Sequence, residues 1–477
     1  MHFSIPDTQE MRDDNGSSYV AYNIHMNGSF HCTVRYKQLH NLHDQLKKAY
    51  GSTTLPVFPP KKLLPLTPTQ TEERRSVLEK YLQRVSQDTR ILSDDIFTGF
   101  LLSAQQESQN VSSQEVDFDV FLMNWQKVMI RILSADPTDV VLEAVARAIG
   151  LPADLVCYFT LFLVKKVGTD TVIKKRMENF EAPYLSQMVA GPNHCVVIRK
   201  SYWDSAFDKD LLEDSVSLNL LYVQALSDLE RGWVSAGKET HRQLSTLQAK
   251  GAKKEYLHLA RTLKYYGYTE FLPCICDYPH PNTRALISAG GRELNFRLET
   301  SQAEVKEISF RVTRIRCWRI ITSVGDEEGK GEGRTDRRLE LSFEYLVSKS
   351  TLQWITVMSE QAILLSTCLQ GMVGELLLKK NGASKPVETH RSGRRRGSWS
   401  FMKRDGSSYQ ISVSRSASSD GILQDASEEG QQRMRDVSKK LTDKTSSMSL
   451  KDAKRGLSSP KATVENDAFE GIGDEDL

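Results

Sequence analysis

The chain has almost no net charge to work with: 63 lysines and arginines against 61 aspartates and glutamates leave +2 over 477 residues. That balance excludes recognition by global basicity, so any anion must be met by a local patch. Cysteine is sparse and scattered, with seven in total (Cys32, Cys157, Cys195, Cys274, Cys276, Cys317, Cys368), mostly inside apolar runs. An odd, dispersed set excludes a disulfide framework and points to reduced thiols in a cytosolic protein. Long hydrophobic runs are missing too. The longest candidate, residues 151–164, carries Asp154 and ends at Lys165-Lys166, short of the roughly eighteen apolar residues a membrane span needs. The opening Met-His-Phe-Ser-Ile-Pro-Asp has neither a basic nor an apolar region of a signal peptide, so membranes are expected to be reached from the cytosol. Enzyme signatures are lacking as well: no GxxxxGK[ST] loop, no GxSxG elbow, no HExxH pair. Cys274-Ile-Cys276 and His280 lack a second ligand pair at metal spacing, and Gly329-Lys-Gly-Glu-Gly333 reads as a flexible hairpin connector. No catalytic residue, cofactor or metal is expected. The chain reads as a binding protein.

What is present begins with basic residues in three settings. Arg35-Tyr36 ends the alternating run His31-Cys-Thr-Val-Arg35, a strand pattern. Pro59-Pro60-Lys61-Lys62 follows Leu55-Pro-Val-Phe58, a stretch too proline-rich for a helix. Arg74-Arg75 opens a helix over 71–85 whose apolar positions Val77, Leu78, Tyr81, Leu82 and Val85 recur at three and four. Cations from a strand end, a loop and a helix start can converge on one anion, with Arg supplying a planar fork and Lys a point charge. Tyr36 offers a flat face for a sugar or inositol ring. On pattern alone, the same residues read more readily as solvated surface.

The chain then changes texture several times. A polar stretch, 103–114, reads as a linker. Strand patterns at 116–122 and 127–133, a helix from Asp136-Pro137 to Ile149, and strands at 158–164 and 195–199 make a unit resembling a ubiquitin-like fold. Residues 202–266 are helical in pattern. Strands return from 271, followed by one apolar helix over 360–380, an order that suggests a pleckstrin-homology-like β-sandwich. Beyond 384 the chain is rich in Ser, Gly and charge and is expected to be disordered. Within it, Arg391, Arg394, Arg395 and Arg396 precede Trp399-Ser-Phe401, which read either as a patch dipping into an anionic bilayer or as a solvated linker. No helical register or reading module accompanies the cluster, so nucleic acid is not an expected partner.

The order strand-Arg-Tyr, Pro-Pro-Lys, then Glu-Glu-Arg-Arg-x-x-Leu-Glu-Lys-Tyr-Leu resembles the PX domain, and the three units after it resemble the lobes of a FERM module. Together they resemble the PX-FERM sorting nexins over nearly the whole chain. The resemblance implies an α+β multidomain protein: a PX domain at 1–108, a ubiquitin-like lobe at 115–200, a helical lobe at 201–270, a pleckstrin-homology-like lobe at 271–383 and a disordered tail at 384–477. It implies phosphatidylinositol 3-phosphate binding by Arg35, Tyr36, Lys37, Lys61 and Arg74, with Lys37 standing where the family often has Ser. It implies that a strand over 310–320 and the 360–380 helix grip receptor tails bearing Asn-Pro-x-Tyr or Asn-x-x-Tyr through Trp318, Val373 and Leu377. Pattern alone would put those three in the core. The acidic end, with anchors Phe469, Ile472 and Leu477, has the form of a docking motif, and the resemblance makes its partner the retriever/Commander recycling complex. The implied protein is a cargo adaptor, cytoplasmic and peripheral on early endosome membranes, that returns cargo to the cell surface instead of to lysosomes. The alternative is a FERM-type scaffold linking membranes to cytoskeletal or signalling partners.

Overall fold

A computed structural model describes residues 1–13, 15–62, 64–168, 170–299, 305–324, 337–386, 399–411 and 463–470. The chain opens with an antiparallel meander, β1 (Phe3–Arg12), β2 (Ser18–Met26) and β3 (Ser29–Arg35). Helices α1 (Tyr36–Tyr50), α2 (Pro68–Val85), α3 (Thr89–Leu92) and α4 (Asp95–Gln109) follow. α1 buries the stripe Leu39, Leu42, Leu46 that its spacing predicts. α2 starts three residues earlier than the apolar pattern because Thr67 caps it, Pro68 fits its first turn and Gln70 closes a capping box. The polar stretch after 103 is not a linker at its start. α4 runs through it to Gln109, burying Ser103, Ala104 and Gln105, because Asp94 caps the helix and Asn110 ends it in a left-handed conformation.

The next lobe is a five-stranded sheet of β4 (Glu115–Phe121), β5 (Lys127–Leu133), β6 (Phe159–Val167), β7 (Asp170–Arg176) and β8 (His194–Lys200), in the order β5-β4-β8-β6-β7. Helices α5 (Thr138–Ile149) and α6 (Pro183–Ala190) belong to it. β5 alternates buried and exposed along its whole length. A helical lobe follows, with α7 (Ser215–Glu230), α8 (Lys238–Ala249) and α9 (Lys253–Ala260).

The third lobe is a nine-stranded sheet closed by one helix. Its members are β9 (Thr269–Glu270), β10 (Cys274–Cys276), β11 (Thr283–Gly290), β12 (Glu293–Glu299), β13 (Val305–Arg311), β14 (Ile315–Val324), β15 (Arg337–Ser348) and β16 (Thr351–Met358), with α10 (Ala362–Lys380). The expected strand over 310–320 is two strands. A 3-10 turn at Val312–Arg314 divides β13 from β14, and β13 ends the strand order on one side while β14 lies next to its other end. Within the stretch expected to lack structure, two segments are folded. One is a hairpin, β17 (Trp399–Met402) with β18 (Ser408–Ile411), and the other is β19 (Thr463–Glu465), the ninth strand of the third lobe's sheet.

The first domain packs on its neighbours through buried polar contacts. Gln105 of α4 accepts from the Ala182 amide at 2.9 Å and donates to Ser186 Oγ at 2.9 Å. Asn27 donates to Glu178 at 2.7 Å, and Gly28 lies against Ile363 of α10. Beneath this seam Lys175 and Glu181 form a fully buried ion pair, further satisfied by Ser186.

Candidate functional sites

The first site sits where β3 ends and α1 begins. Arg35 is the cap residue of α1: its N–H donates to Gln38 Oε1 at 2.8 Å. Its guanidinium lies 4.1 Å over the Tyr19 ring, 3.8 Å from Asp13, and donates to the Arg404 carbonyl at 3.3 Å. Tyr36, the first helical residue, donates its hydroxyl to the Pro59 carbonyl at 2.7 Å. Burial pushes the Tyr36 phenol up. Arg74 stacks 4.3 Å over the Tyr36 ring and donates to the Pro60 carbonyl at 3.2 Å. Phe58 anchors the proline loop by stacking on His43 at 4.7 Å and meeting Tyr81 edge-on at 4.9 Å. Strand end, proline loop and the second turn of α2 therefore meet around one tyrosine. Lys61 and Lys37 are exposed. The neighbouring Arg75 is committed elsewhere, forked onto Glu72 at 2.6 Å and held by Glu79 and the Ile5 carbonyl.

The second site is the edge of β14 opposite β15, and the chain's own segment Thr463–Glu465 is paired with it. β19 pairs antiparallel with β14, with Arg319 opposite Thr463, Trp318 opposite Val464 and Cys317 opposite Glu465. Asn466, 6% exposed, then donates its side-chain amide to the carbonyls of Val312 (2.8 Å) and Ile315 (2.6 Å), the two ends of the 3-10 turn. Its Oδ1 accepts from Ala468 N–H at 3.0 Å, and its carbonyl accepts from Phe469 N–H at 3.0 Å. Thr463–Phe469 is thus a strand, β19, followed by a turn held by Asn466, the form of added-strand recognition.

The three residues expected to grip cargo divide. The Trp318 side chain is 1% exposed and donates to Ser366 of α10 at 3.0 Å. The indole packs toward α10, and the Trp318 backbone pairs with the added strand. Val373 is buried and Leu377 half-buried on α10. Of the terminal anchors, Phe469 is half-buried, while Ile472 and Leu477 lie outside the described residues. A correction concerns Trp399 and Phe401, 5% and 1% exposed, which are packed into the core of the first domain and are not presented to a bilayer. The basic residues 391–396 lie outside the described residues. Cys274 and Cys276 are buried and turn their thiols to the carbonyls of Ala285 and Tyr278.

Two features escaped the sequence reading. Asn466-x-x-Phe469 has the spacing of the motif that the resemblance assigns to the third lobe's ligands, with Phe in place of Tyr. Trp399-Ser-Phe-Met, then Asp405-Gly406, then Ser-Tyr-Gln-Ile411 carries a hairpin signature that the surrounding Ser-rich composition obscured.

Four family descriptions cover the folded chain: PX domain over 22–104, sorting nexin 17/27/31 FERM F1 lobe over 116–203, sorting nexin 17/31 FERM F2 lobe over 204–264, and Sorting Nexin 17 FERM C-terminal domain over 267–377. Sorting nexin-17 of Homo sapiens is 47% identical over 491 residues, covering all of both chains, and that of Danio rerio is 46% identical over 493 residues. Sorting nexin-31 of Homo sapiens is 37% identical over 383 residues, covering 80% of this chain and 86% of that protein.

Proposed function

The chain belongs to the PX-FERM sorting nexins, and from that premise we propose an endosomal adaptor that reads a lipid with its first domain and a receptor tail with its third lobe. The lipid is phosphatidylinositol 3-phosphate, with Arg35 and Arg74 as the guanidinium ligands, Lys61 and Lys37 as exposed cations at the rim, and the Tyr36 ring beneath the inositol. Charge-assisted contacts of this kind carry phosphate recognition. The receptor tails carry Asn-Pro-x-Tyr or Asn-x-x-Tyr and add to β14, beside Val373 and Leu377 of α10. Cargo so held is recycled to the surface instead of degraded, through docking of the retriever/Commander complex on the C-terminal segment ending in Leu477.

The observation that carries this reading is the seating of Asn466–Phe469. The edge of β14 and the carbonyls of Val312 and Ile315 already accept a strand that turns at an asparagine, and a receptor tail of that pattern presents the same donors. Such a tail competes with the chain's own segment. Calorimetry with an Asn-Pro-x-Tyr peptide tests this. Asn466→Ala loses its own hold on the turn and binds the peptide more tightly than the native chain, by roughly ten-fold for contacts of about 1–2 kcal/mol. Replacing the peptide's asparagine with alanine abolishes binding. Equal affinity for the two peptides overturns the assignment.

A further inference from the structure

The hairpin β17–β18 comes from beyond the third lobe, yet it is built into the first domain. Trp399 and Phe401 share the core of that domain. Trp399 fills a seat cut into α4: a Cβ at Gly99 would overlap its indole. Gln45 of α1 clasps Ser400 from both sides, accepting from its N–H at 2.8 Å and donating to its carbonyl at 2.7 Å. Glu107 accepts from Arg404 N–H at 2.7 Å, and its carboxylate lies 3.5 Å from the Arg404 guanidinium. The turn is closed by Lys403 N–H to Ser407 O at 2.8 Å, with Gly406 at φ +95°. A left-handed position there suits glycine.

These contacts converge on Arg35. Gln38 accepts from the Arg35 N–H at 2.8 Å while donating to the Met402 carbonyl at 2.9 Å. The Arg404 carbonyl takes one guanidinium N–H of Arg35 directly, at 3.3 Å. Asp13, the carboxylate facing that guanidinium, stands at 3.8 Å, outside hydrogen-bond distance. A neutral carbonyl occupies one donor of the fork and Asp13 stays in ion-pair range without a hydrogen bond, so the remaining donors are available, whereas a closed, hydrogen-bonded Arg–Asp pair would compete with an incoming phosphate.

We propose that the hairpin Trp399–Ile411 is a positioning element of the anion pocket: by seating on Gly99 and Gln45 it holds the Arg35 guanidinium away from Asp13 and preorganised for phosphate. The inference rests on the reading of Arg35 as a phosphate ligand. Residues from a segment more than three hundred positions downstream thereby set the affinity of the first domain for lipid.

The test uses the full chain and phosphatidylcholine vesicles with and without phosphatidylinositol 3-phosphate. Trp399→Ala releases the hairpin, and Gly99→Ala blocks its seat while raising the helix propensity of α4. Each is expected to weaken lipid-dependent binding by roughly ten-fold, the scale of one lost charge-assisted contact. Adding Asp13→Asn to either variant is expected to restore most of that loss, because the competing carboxylate is gone. Native binding in both single variants, or a loss that Asp13→Asn leaves unchanged, overturns the inference and returns the hairpin to a structural role. Arg35→Ala reports separately on the parent reading: if that variant binds these vesicles normally, Arg35 is not the phosphate ligand and the pocket assignment itself fails.

Discussion

At the residue scale, identity and role separate most clearly at Trp318. The sequence places it on a strand facing a helix, and the structure agrees, but a period-two strand has two faces and spacing does not say which one meets the helix. The indole meets α10, so its removal is a core deletion. Trp318→Ala is expected to destabilise the third lobe by about 3–5 kcal/mol and lower its melting transition. Ser366→Ala, which leaves the indole N–H buried without its acceptor, should cost about 1–3 kcal/mol. Calorimetric scans of both variants check this. A Trp318→Ala chain that melts normally but no longer binds tail peptide would place the indole in the groove instead. Arg74 and Arg75 show the same limit in a different form. Both are arginines of α2, yet one turns to the Tyr36 ring and the other to Glu72 and Glu79. Adjacent residues on a helix are about 100° apart, and the sequence contains no statement of which direction the pocket lies.

At the element scale, the long apolar helix was legible, whereas the end of α4 and the breaks in strands were not. α10 falls within two residues of its expected bounds, because its apolar run and its basic last turn agree. The run through 310–320 is uninterrupted in β-forming residues, so nothing local marks the 3-10 turn at Val312–Arg314. That turn is fixed by tertiary contacts: Val312 N–H donates to the Arg292 carbonyl at 2.9 Å, and the Val312 side chain is fully buried. It also creates the two carbonyls that Asn466 reads, so the least legible feature is the one that shapes the groove. Protection of the β14 edge should accordingly depend on a single side chain. Asn466→Ala is expected to raise hydrogen exchange of the β14 amides that face β19 by roughly ten- to a hundred-fold, while the β14–β15 ladder stays protected. Peptide-resolved exchange by mass spectrometry measures this, and unchanged protection at 315–319 would show that β19 is held by other means.

At the scale of the whole molecule, domain order was readable from changes of texture, whereas the seams between domains were not, since their partners are far apart in sequence. The seam between the first domain and the next lobe contains two histidines, His31 buried and His2 half-buried. His31 donates from Nε2 to the Leu101 carbonyl at 3.1 Å and faces Glu181 and Lys175. Burial pushes its pKa down to about 4, with Glu181 opposing and Lys175 adding to the shift. His2, whose N–H donates to Asn27 at 2.9 Å, is likewise pushed down to about 4, by burial first and by the N-terminal ammonium second. Both are neutral in the folded chain and take up protons when it unfolds, at an ordinary pKa of about 6.5. Between those two values the unfolded state binds more protons, so stability rises with pH. The contribution of neutral His31 is fully present above pH about 6.5 and is lost as pH falls toward about 4, by on the order of 3 kcal/mol in total. Urea unfolding at pH 7.4, 6.0 and 5.0 should show the seam and the first domain weakening on acidification. His31→Gln keeps a donor for Leu101 and removes the titration, so its stability should fall less steeply over the same range, even if its stability at pH 7.4 is lower. A slope equal to that of the native chain would move the acid sensitivity to other groups.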